Sequence, residues 1–561
     1  MDKTLVGYCA PLTCRPGATV RFMVSCERPL AYDVDVVRLI CADGFADGAG
    51  YEERLVAAGV ARGVRGRRQR TAIGSYAVAA EPMLTRDRAA ATLAAVIRPT
   101  APGPGLQAIA GTWDAGPGAG ALLALAADGT PVLLLGDGQG GRLTVAADRA
   151  ATPDRWSLVV AGFDVERGIA RIWHRPVGGG PDAAFRPPGR GTARLDIAPA
   201  PARAGPFMIA AHRGADGHPA GHFNGRIEAV RLLARALGEG ELDRLADVAI
   251  PGDLARDVVA WWDFGRDIAS RTLVDLSPLA AHARTENLPN RAVPGHRWTG
   301  ECHDWRAAPD QYAAVHFHAD DIYDAGWQAD FAWQVPTGLP SGVYAARLDA
   351  GDEVEHVPFF VPPPAGTATA DVAFLASTAT YLAYANIRTL LTRDPPFGIR
   401  TPNEAMLAAR PEFGHSTYDR HADGSGVHYS SPHRPILNLK PRSYRWGFTA
   451  DMNVVAWLAR CGHAHDVVTD DQLHAEGADL LRRYRVVVTG THPEYFSTAM
   501  RDAVEGYLGA GGRLMYLGGN GFYWRIACSD EWPGAIEVRR AEGGTRPWIA
   551  EPGAYRHALG G

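Results

Sequence analysis

The stretch that decides the fold of the C-terminal part runs from residue 484 to residue 521 and reads YRVVVTGTHPEYFSTAMRDAVEGYLGAGGRLMYLGGNG. It opens with a buried-strand pattern at 484–490, in which three valines follow one another. A helical pattern at 498–512 ends in glycines, and a second apolar strand pattern follows at 512–521. Strands that alternate with helices indicate a parallel sheet with helices on both faces.

Patterns upstream of this stretch extend the same sheet. Residues 371–378 and 465–470 are apolar runs of strand length, and residues 453–462 form a helical pattern that ends at Gly462. We therefore predict an α/β domain over residues 366–561, with a mostly parallel sheet.

The rest of the chain carries β patterns. Residues 1–73 hold short β-branched runs, and residues 74–245 hold strand-length runs separated by DG and GG turns. The β patterning continues over residues 246–365, which end in a Pro-rich linker. The simplest interpretation is an antiparallel sandwich at 74–245 that is inserted in, or appended to, a second β domain formed by its two flanks.

The order of segments within residues 74–245 indicates a more specific type of sandwich. A strand that begins near Trp156 is followed by GIARIWH, and the segment closes with GHFNGRIEAVRLLARAL at 221–237. This order resembles a laminin-G/concanavalin-like domain, whose last strand is followed by a short helix. Modules of this kind often bind sugars or partner proteins, and a role as a scaffold or interface element is the plainer interpretation.

Composition excludes several classes of protein. Lys and Arg number 57 and Asp and Glu number 62, for a net charge of -5, whereas nucleic-acid binders show a basic excess. The chain contains no apolar run of 18 residues, and no apolar run of signal-peptide type follows MDKTLVGYC, so we expect a cytoplasmic protein without a membrane span. The seven cysteines include no CxxC pair, which favours free thiols over a disulfide framework.

Chemically capable side chains follow the predicted strands of the α/β domain. Sites in such sheets form at the carboxyl ends of strands. Tyr381 and Tyr384 follow the strand at 371–378, while His492 and Glu494 follow the strand at 484–490. Asn520 follows the last strand, and a long polar segment at 415–433 has the length and composition of a loop over a site.

These residue types point to metal-assisted chemistry. The chain contains no GxSxG elbow and no HExxH motif, and no GxCxG nucleophile follows a strand. Phenolate and carboxylate oxygens are hard ligands that suit a Lewis acid such as ferric iron. Elsewhere, His316 and His318 alternate on one strand face, either as a metal-binding pair or as structural histidines.

A resemblance to a known family adds detail. The chain resembles, over essentially its whole length, the large (beta) subunit of the N,N-dimethylformamidase family. That family combines N-terminal β domains, a laminin-G-like sandwich and an amidotransferase-like α/β domain. The motifs that carry the match most specifically are TYLAYAN, STYDRHADGSGVHYSS, THPEY and LGGNGFYW.

The resemblance implies a mononuclear Fe(III) site held by two tyrosines and one glutamate, with a histidine and an asparagine assisting. Glu494 matches the glutamate ligand and Tyr418 matches one tyrosine. The second tyrosine is Tyr384 or Tyr381, of which we favour Tyr384. The assisting residues match His492 and Asn520.

The implied function is hydrolysis of a small N-substituted amide to a carboxylic acid and an amine. A separate small subunit and a homo- or hetero-oligomer are the expected partners. The family's large subunits continue beyond the match to residue 561 and carry a further catalytic glutamate there, so we expect the α/β domain to be truncated. The alternative is a non-catalytic carbohydrate-binding or assembly subunit derived from such an enzyme.

Overall fold

The computed structural model describes residues 3–45, 47–79, 81–178, 187–391, 399, 401–443, 446–541 and 546–560. The described chain is mostly β structure, with large antiparallel sheets and few helices. No helix in the described ranges is long and apolar enough to cross a membrane. All seven cysteines are free thiols, as their spacing predicts.

The two ends of the N-terminal region fold together into two small antiparallel sheets. One has the order β1-β2-β23, and the other has the order β25-β24-β3-β4. Residues 5–65 therefore pair with residues 331–361, which lie on the other side of a long intervening segment. The strands are β1 Leu5–Ala10, β2 Thr19–Cys26, β3 Ala31–Ala42, β4 Tyr51–Arg65, β23 Phe331–Gln334, β24 Gly342–Asp349 and β25 Val354–Val361.

The intervening segment forms one large sheet that closes on itself. Alternating apolar residues from its strands, including Leu93, Val159 and Leu133, meet in a single core. Its strands β5 to β22 are, in order, Tyr76–Ala79, Ala90–Pro99, Gln107–Asp114, Ala119–Leu125, Pro131–Asp137, Arg142–Ala146, Ser157–Asp164, Ile169–Pro176, Gly189–Arg194, Phe207–Ile209, His212–Arg213, Pro219–Ala220, Gly225–Leu233, Val258–Asp263, Thr272–Asp275, Ala283–Glu286, Asn290–Val293 and Ala314–Phe317.

The large sheet does not end at the boundary expected at residue 245. Strand β17 pairs with both β18 and β22, and β5 pairs with β20. Residues 258–317 therefore belong to the same sheet as residues 76–233. The turn signals near 245 separate two strands of one sheet, because β18 and β22 pair with β17 and β20 pairs with β5, on the other side of that boundary.

The C-terminal region contains a four-stranded parallel sheet in the order β28-β26-β29-β31. Its strands are β26 Val372–Ala376, β28 His465–Thr469, β29 Val486–Thr489 and β31 Arg513–Met515. The helices of this region are α1 Thr378–Ala383, α2 Pro402–Ala409, α3 Phe448–Arg460, α4 Asp470–Glu476, α5 Ala478–Leu481 and α6 Thr498–Gly509.

Helices pack on both faces of the parallel sheet. Phe374 and Val488 contact the apolar side of α3, whereas Leu375 and Val487 contact α4, α5 and α6 from the opposite face. Successive strand residues point to opposite faces, so these strands are apolar throughout. The Ser497 side chain caps the start of α6 by accepting a hydrogen bond from Met500 N.

A second, mixed sheet lies next to the parallel one. Its order is β27-β33-β32-β30, with strands β27 Tyr429–Ser430, β30 Tyr495–Phe496, β32 Trp524–Ala527 and β33 Ile536–Val538. It joins the segment that follows β29 to the chain beyond residue 523 and to the long polar segment at 415–433. Three segments far apart in sequence thus meet at the carboxyl edge of the parallel sheet.

Candidate active site

Three connections bring the polar side chains together. Tyr384 lies at the C-terminal end of α1, which is the helix that follows the central strand β26. His492 and Glu494 lie in the connection from β29 to β30, and the backbone N–H of Glu494 donates to Thr380 Oγ1 at 3.1 Å. Tyr418 comes from the loop at 415–433, whose residue Thr417 donates its N–H to the Ala383 carbonyl at 3.0 Å.

The two phenols converge on one carboxylate. Tyr384 Oη lies 2.8 Å from Glu494 Oε2, and Tyr418 Oη lies 3.1 Å from each carboxylate oxygen of Glu494. The Tyr384 and Tyr418 rings stack with their centroids 4.1 Å apart. His492 Nε2 lies 3.1 Å from Glu494 Oε2. Since Glu494 is only 2% exposed, this is a buried cluster of oxygen donors with an imidazole at its side.

The structure separates the two candidate tyrosines of α1. The Tyr384 hydroxyl faces Glu494, whereas the Tyr381 hydroxyl donates to the Asp451 carboxylate on a different side of the helix. Asp451 also accepts from the backbone N–H and the hydroxyl of Thr491, at 2.6 and 2.7 Å. Tyr381 therefore supports the connection that carries His492, and Tyr384 is the tyrosine of this helix that reaches the cluster.

A buried arginine, Arg540, lies against the inner side of the cluster. Tyr495 Oη lies 2.7 Å from Tyr418 Oη, and Arg540 donates to Tyr495 Oη at 2.6 Å. The Arg540 guanidinium also lies 4.3 Å from the centroid of the Tyr418 ring. Its Nη1 is buried and has no hydrogen-bond partner within the described part of the chain. A positive charge at this place favours negative charge on the phenol oxygens.

The ionisation of the phenols depends on what else is bound. Burial raises the pKa of the Tyr384 and Tyr418 hydroxyls above their ordinary value, and the Glu494 carboxylate adds to the rise in both. Arg540 acts in the opposite direction on the pKa of Tyr418. The phenols would therefore ionise at neutral pH only if a further positive charge lay against their oxygens.

An aromatic wall borders the open side of the cluster. The Trp446 ring lies 4.1 Å from the Tyr384 ring and 4.8 Å from the His492 ring, measured between centroids. His492 keeps 14% of its side chain exposed, so solvent reaches the imidazole, whereas Glu494 is buried. A small molecule at this opening would meet the imidazole and the indole together.

The position of Asn520 supports its predicted role less directly than the positions of the other predicted residues support theirs. It is exposed and has a left-handed backbone, with a φ of 51°. Its loop nevertheless packs on the His492 connection, because Gly519 N donates to the Thr491 carbonyl and Phe522 N donates to the Pro493 carbonyl. The assisting role of Asn520 stays a prediction.

The sequence analysis assigned no role to three members of the site, which are Tyr495, Arg540 and Trp446. Tyr495 stands beside Glu494 in the THPEY motif, and this adjacency was the available signal for it. Arg540 and Trp446 follow no predicted strand of the parallel sheet, and no motif distinguishes them. They reach the site only because the second sheet and the connection before α3 fold over the carboxyl edge.

Comparisons with known proteins identify the family of the chain. Residues 290–561 match the family described as N,N-dimethylformamidase beta subunit-like, C-terminal. The N,N-dimethylformamidase beta subunit of an Alcaligenes species is 35% identical, with 100% of this chain and 77% of that protein covered. The chain belongs to the N,N-dimethylformamidase beta-subunit family. The beta subunit from Paracoccus aminophilus is 36% identical, with 99% of this chain and 76% of that protein covered.

Solved structures resemble smaller parts of this family member. The sialidase carbohydrate-binding module CBM40 of Ruminococcus gnavus, bound to alpha2,3 sialyllactose, covers 31% of this chain and 92% of its own. Its sequence identity is 14% and its TM-score is 0.25. A similarity of this size assigns neither a fold nor a ligand to the large sheet.

Proposed function

We propose that Tyr384, Tyr418 and Glu494 bind a mononuclear ferric ion and that the protein hydrolyses a small N-substituted amide, such as N,N-dimethylformamide, to a carboxylic acid and an amine. The observation that carries the proposal is the convergence of two phenol oxygens on one buried carboxylate beside an imidazole. The names of the relatives support the substrate class. This convergence favours the hydrolase over a non-catalytic subunit.

The donor set fits ferric iron. Ligand oxygens at right angles around an ion, each at about 2.0 Å, lie roughly 2.8 Å from one another. The separations of 2.8 and 3.1 Å between the phenol oxygens and the carboxylate are in this range. Two phenolates and a carboxylate together carry the charge that balances Fe(III). A bound ferric ion would supply Lewis-acid polarisation of the amide carbonyl.

The residues around the donors perform the remaining tasks. His492 is the solvent-accessible base, and it takes a proton from the attacking water and returns one to the leaving amine. Asn520 orients the amide or donates to the oxygen that develops negative charge. Trp446 and the Tyr384 ring provide an apolar surface for the N-alkyl groups. Arg540 and Tyr495 stabilise negative charge on Tyr418 from the buried side.

The proposal includes a partner. Both relatives are named as beta subunits, which implies an enzyme of more than one kind of subunit. We expect a small separate subunit to assemble with this chain. Tagged full-length protein should therefore co-purify with such a subunit. Light scattering should then give a larger mass than that of this chain alone.

The test measures metal and activity on the same preparation. Purified full-length protein should contain about one iron per chain, absorb visible light through tyrosinate-to-iron charge transfer, and release amine from small formamides. Glu494→Ala should lose the iron and the colour while the circular dichroism spectrum is retained. Glu505→Ala, at an exposed glutamate of α6, is the matched control and should keep both.

Two results would contradict the proposal. One is amide hydrolysis at full rate by a colourless, iron-free preparation. The other is a folded Glu494→Ala variant that holds iron as the unmodified protein does. The first would refute the role of iron, and the second would refute the ligand assignment.

A further inference from the structure

A second cluster of metal-binding side chains lies between the large sheet and the loop that carries Tyr418. His316 is on strand β22, His318 follows this strand, and Asp423 comes from the loop. His316 Nε2 lies 3.0 Å from Asp423 Oδ2, and His318 Nε2 lies 3.7 Å from the same oxygen. One nitrogen of each imidazole and one carboxylate oxygen thus fall within 4.8 Å of one another.

The cluster is fully enclosed by the protein. His316 is 2% exposed, His318 is 0% exposed, and the Asp423 side chain is 2% exposed. Burying two imidazoles and a carboxylate is costly unless their charges and lone pairs are satisfied. Ser425 Oγ lies 3.1 Å from His318 Nε2 and 2.6 Å from Asp423 Oδ1, which adds a further oxygen to the same small space.

A neighbouring carboxylate orients His318 in the way that metal-binding histidines are oriented. His318 Nδ1 lies 3.1 Å from Asp321 Oδ2, and this carboxylate is itself held by the Ser75 hydroxyl at 2.6 Å. With the Nδ1 proton donated to Asp321, Nε2 is left as the ring nitrogen that faces Ser425 Oγ and Asp423 Oδ2, at 3.1 and 3.7 Å. Carboxylate–histidine pairs of this kind set the tautomer of metal ligands in proteins.

A different combination, formed by His318, Asp321 and His421, fits a metal less well. The His318 and His421 rings are stacked with centroids 3.7 Å apart and an angle of 5° between their planes. The lone pairs of the two rings lie in separate parallel planes, so they cannot meet at one ion. By contrast, the planes of His316 and His318 make an angle of 43°. His421 is instead held by Asp320 at 2.7 Å.

We propose that His316, His318 and Asp423 bind one divalent zinc ion, with Ser425 Oγ or water as the fourth ligand. Two imidazoles and one carboxylate are donors that zinc accepts in tetrahedral sites. Because the site is enclosed, its role is structural. It links β22 of the large sheet to the loop in which Tyr418 lies five residues before Asp423. The site is independent of the iron cluster, whose all-oxygen donors select a harder ion.

The first measurement needs no variant. Full-length protein, produced with zinc in the medium and purified without a histidine tag, should contain about one zinc per chain. Zinc-edge X-ray absorption should show nitrogen and oxygen ligands at about 2.0 Å, with imidazole scattering and no sulfur. Replacement of the zinc by cobalt should produce the visible bands of a four-coordinate N/O site.

Variants locate the ion. His316→Gln, His318→Gln and Asp423→Asn should each lower the zinc content from about one to below about 0.1 per chain. His218→Gln, at an exposed histidine in the turn between β15 and β16, is the control and should retain it. Glu494→Gln should keep the zinc, so that this site is tested even if the iron assignment is wrong.

The proposal is overturned if the purified protein holds no zinc and binds added zinc or cobalt no more tightly than His316→Gln does. It is also overturned if all three cluster variants keep the zinc of the unmodified protein. If the variants are insoluble, the absorption spectra of the zinc and cobalt forms test the proposal instead. Spectra that show ligands other than two imidazoles and oxygen would exclude this site.

Discussion

At the scale of single residues, the hydrogen bond from Tyr495 to Tyr418 is the contact most easily tested. In Tyr495→Phe, the Tyr418 oxygen loses its partner at 2.7 Å, and Arg540 loses one of its acceptors but keeps those on Thr417. If Tyr418 binds a ferric ion as proposed, it then becomes a stronger donor to that ion. We expect iron to be retained, the charge-transfer band to move to longer wavelength, and kcat/KM to fall roughly tenfold, the equivalent of about 1.4 kcal/mol.

Absorption spectra of the two proteins at equal iron content measure this effect. Tyr555→Phe, at a half-buried tyrosine that stacks on His303, is the control and should leave the band in place. An unchanged band in Tyr495→Phe would mean that Tyr418 is not a ligand or that Tyr495 does not reach it.

His492 is expected to act on protons without holding iron. It contacts Glu494 but keeps a solvent-accessible edge, as a base in contact with water requires. His492→Ala should keep about one iron per chain and lose on the order of 10²–10⁴-fold in kcat. His463→Ala, at an exposed histidine, should have the activity of the unmodified protein. Loss of iron from His492→Ala would instead make this residue a ligand.

At the scale of elements, the loop from Gly518 to Phe522 must lie close to the connection that carries His492. A Cβ added to Gly518 would be 2.3 Å from Pro493 Cδ and 3.0 Å from the Thr491 carbonyl oxygen. A Cβ added to Gly519 would be 3.8 Å from His492 Nδ1, which is an ordinary contact. Neighbouring glycines thus differ in the space around them.

The two substitutions should therefore have different effects. Gly518→Ala should lower the free energy of unfolding by about 1–3 kcal/mol and reduce kcat, because Pro493 and His492 must shift. Gly519→Ala should change both by little. Thermal unfolding and amine-release assays on the pair measure this difference, and equal behaviour would show that the loop position does not control His492.

At the scale of the whole molecule, the extent of the large sheet predicts which deletion is tolerated. Ser75 N donates to the His318 carbonyl at 3.0 Å, so the two ends of the sheet segment lie next to each other. Removal of residues 76–317 can be closed by a short turn and leaves no strand of that sheet behind. Removal of residues 74–245 instead leaves β18 to β22 without β17 and β5.

We therefore expect the larger deletion to be the more soluble of the two. Unpaired strand edges and an opened apolar core promote aggregation. The larger deletion also removes His316 and should lose zinc while it retains iron. Size-exclusion chromatography and metal analysis of both variants test this, and a monomeric, soluble 74–245 deletion would contradict the continuity of the sheet.

The sequence by itself determined the apolar strands of the parallel sheet and two of the helices, α3 and α6, because their patterns are local. It also determined that His492 and Glu494 follow β29, since the carboxyl end of a strand is set by the order of the chain. The motifs around these strands sufficed for the family, which the two relatives confirm.

Only the tertiary structure decided which side chains meet. Tyr381 and Tyr384 are three residues apart in one short helix, and the packing of that helix against Asp451 and Glu494 sends their hydroxyls to different partners. Arg540 reaches the site through the second sheet. His316 and Asp423 are 107 positions apart and touch because β22 pairs in the large sheet while the loop folds over it. Such contacts depend on how segments that are remote in sequence pack together, and a local sequence pattern does not predict that packing.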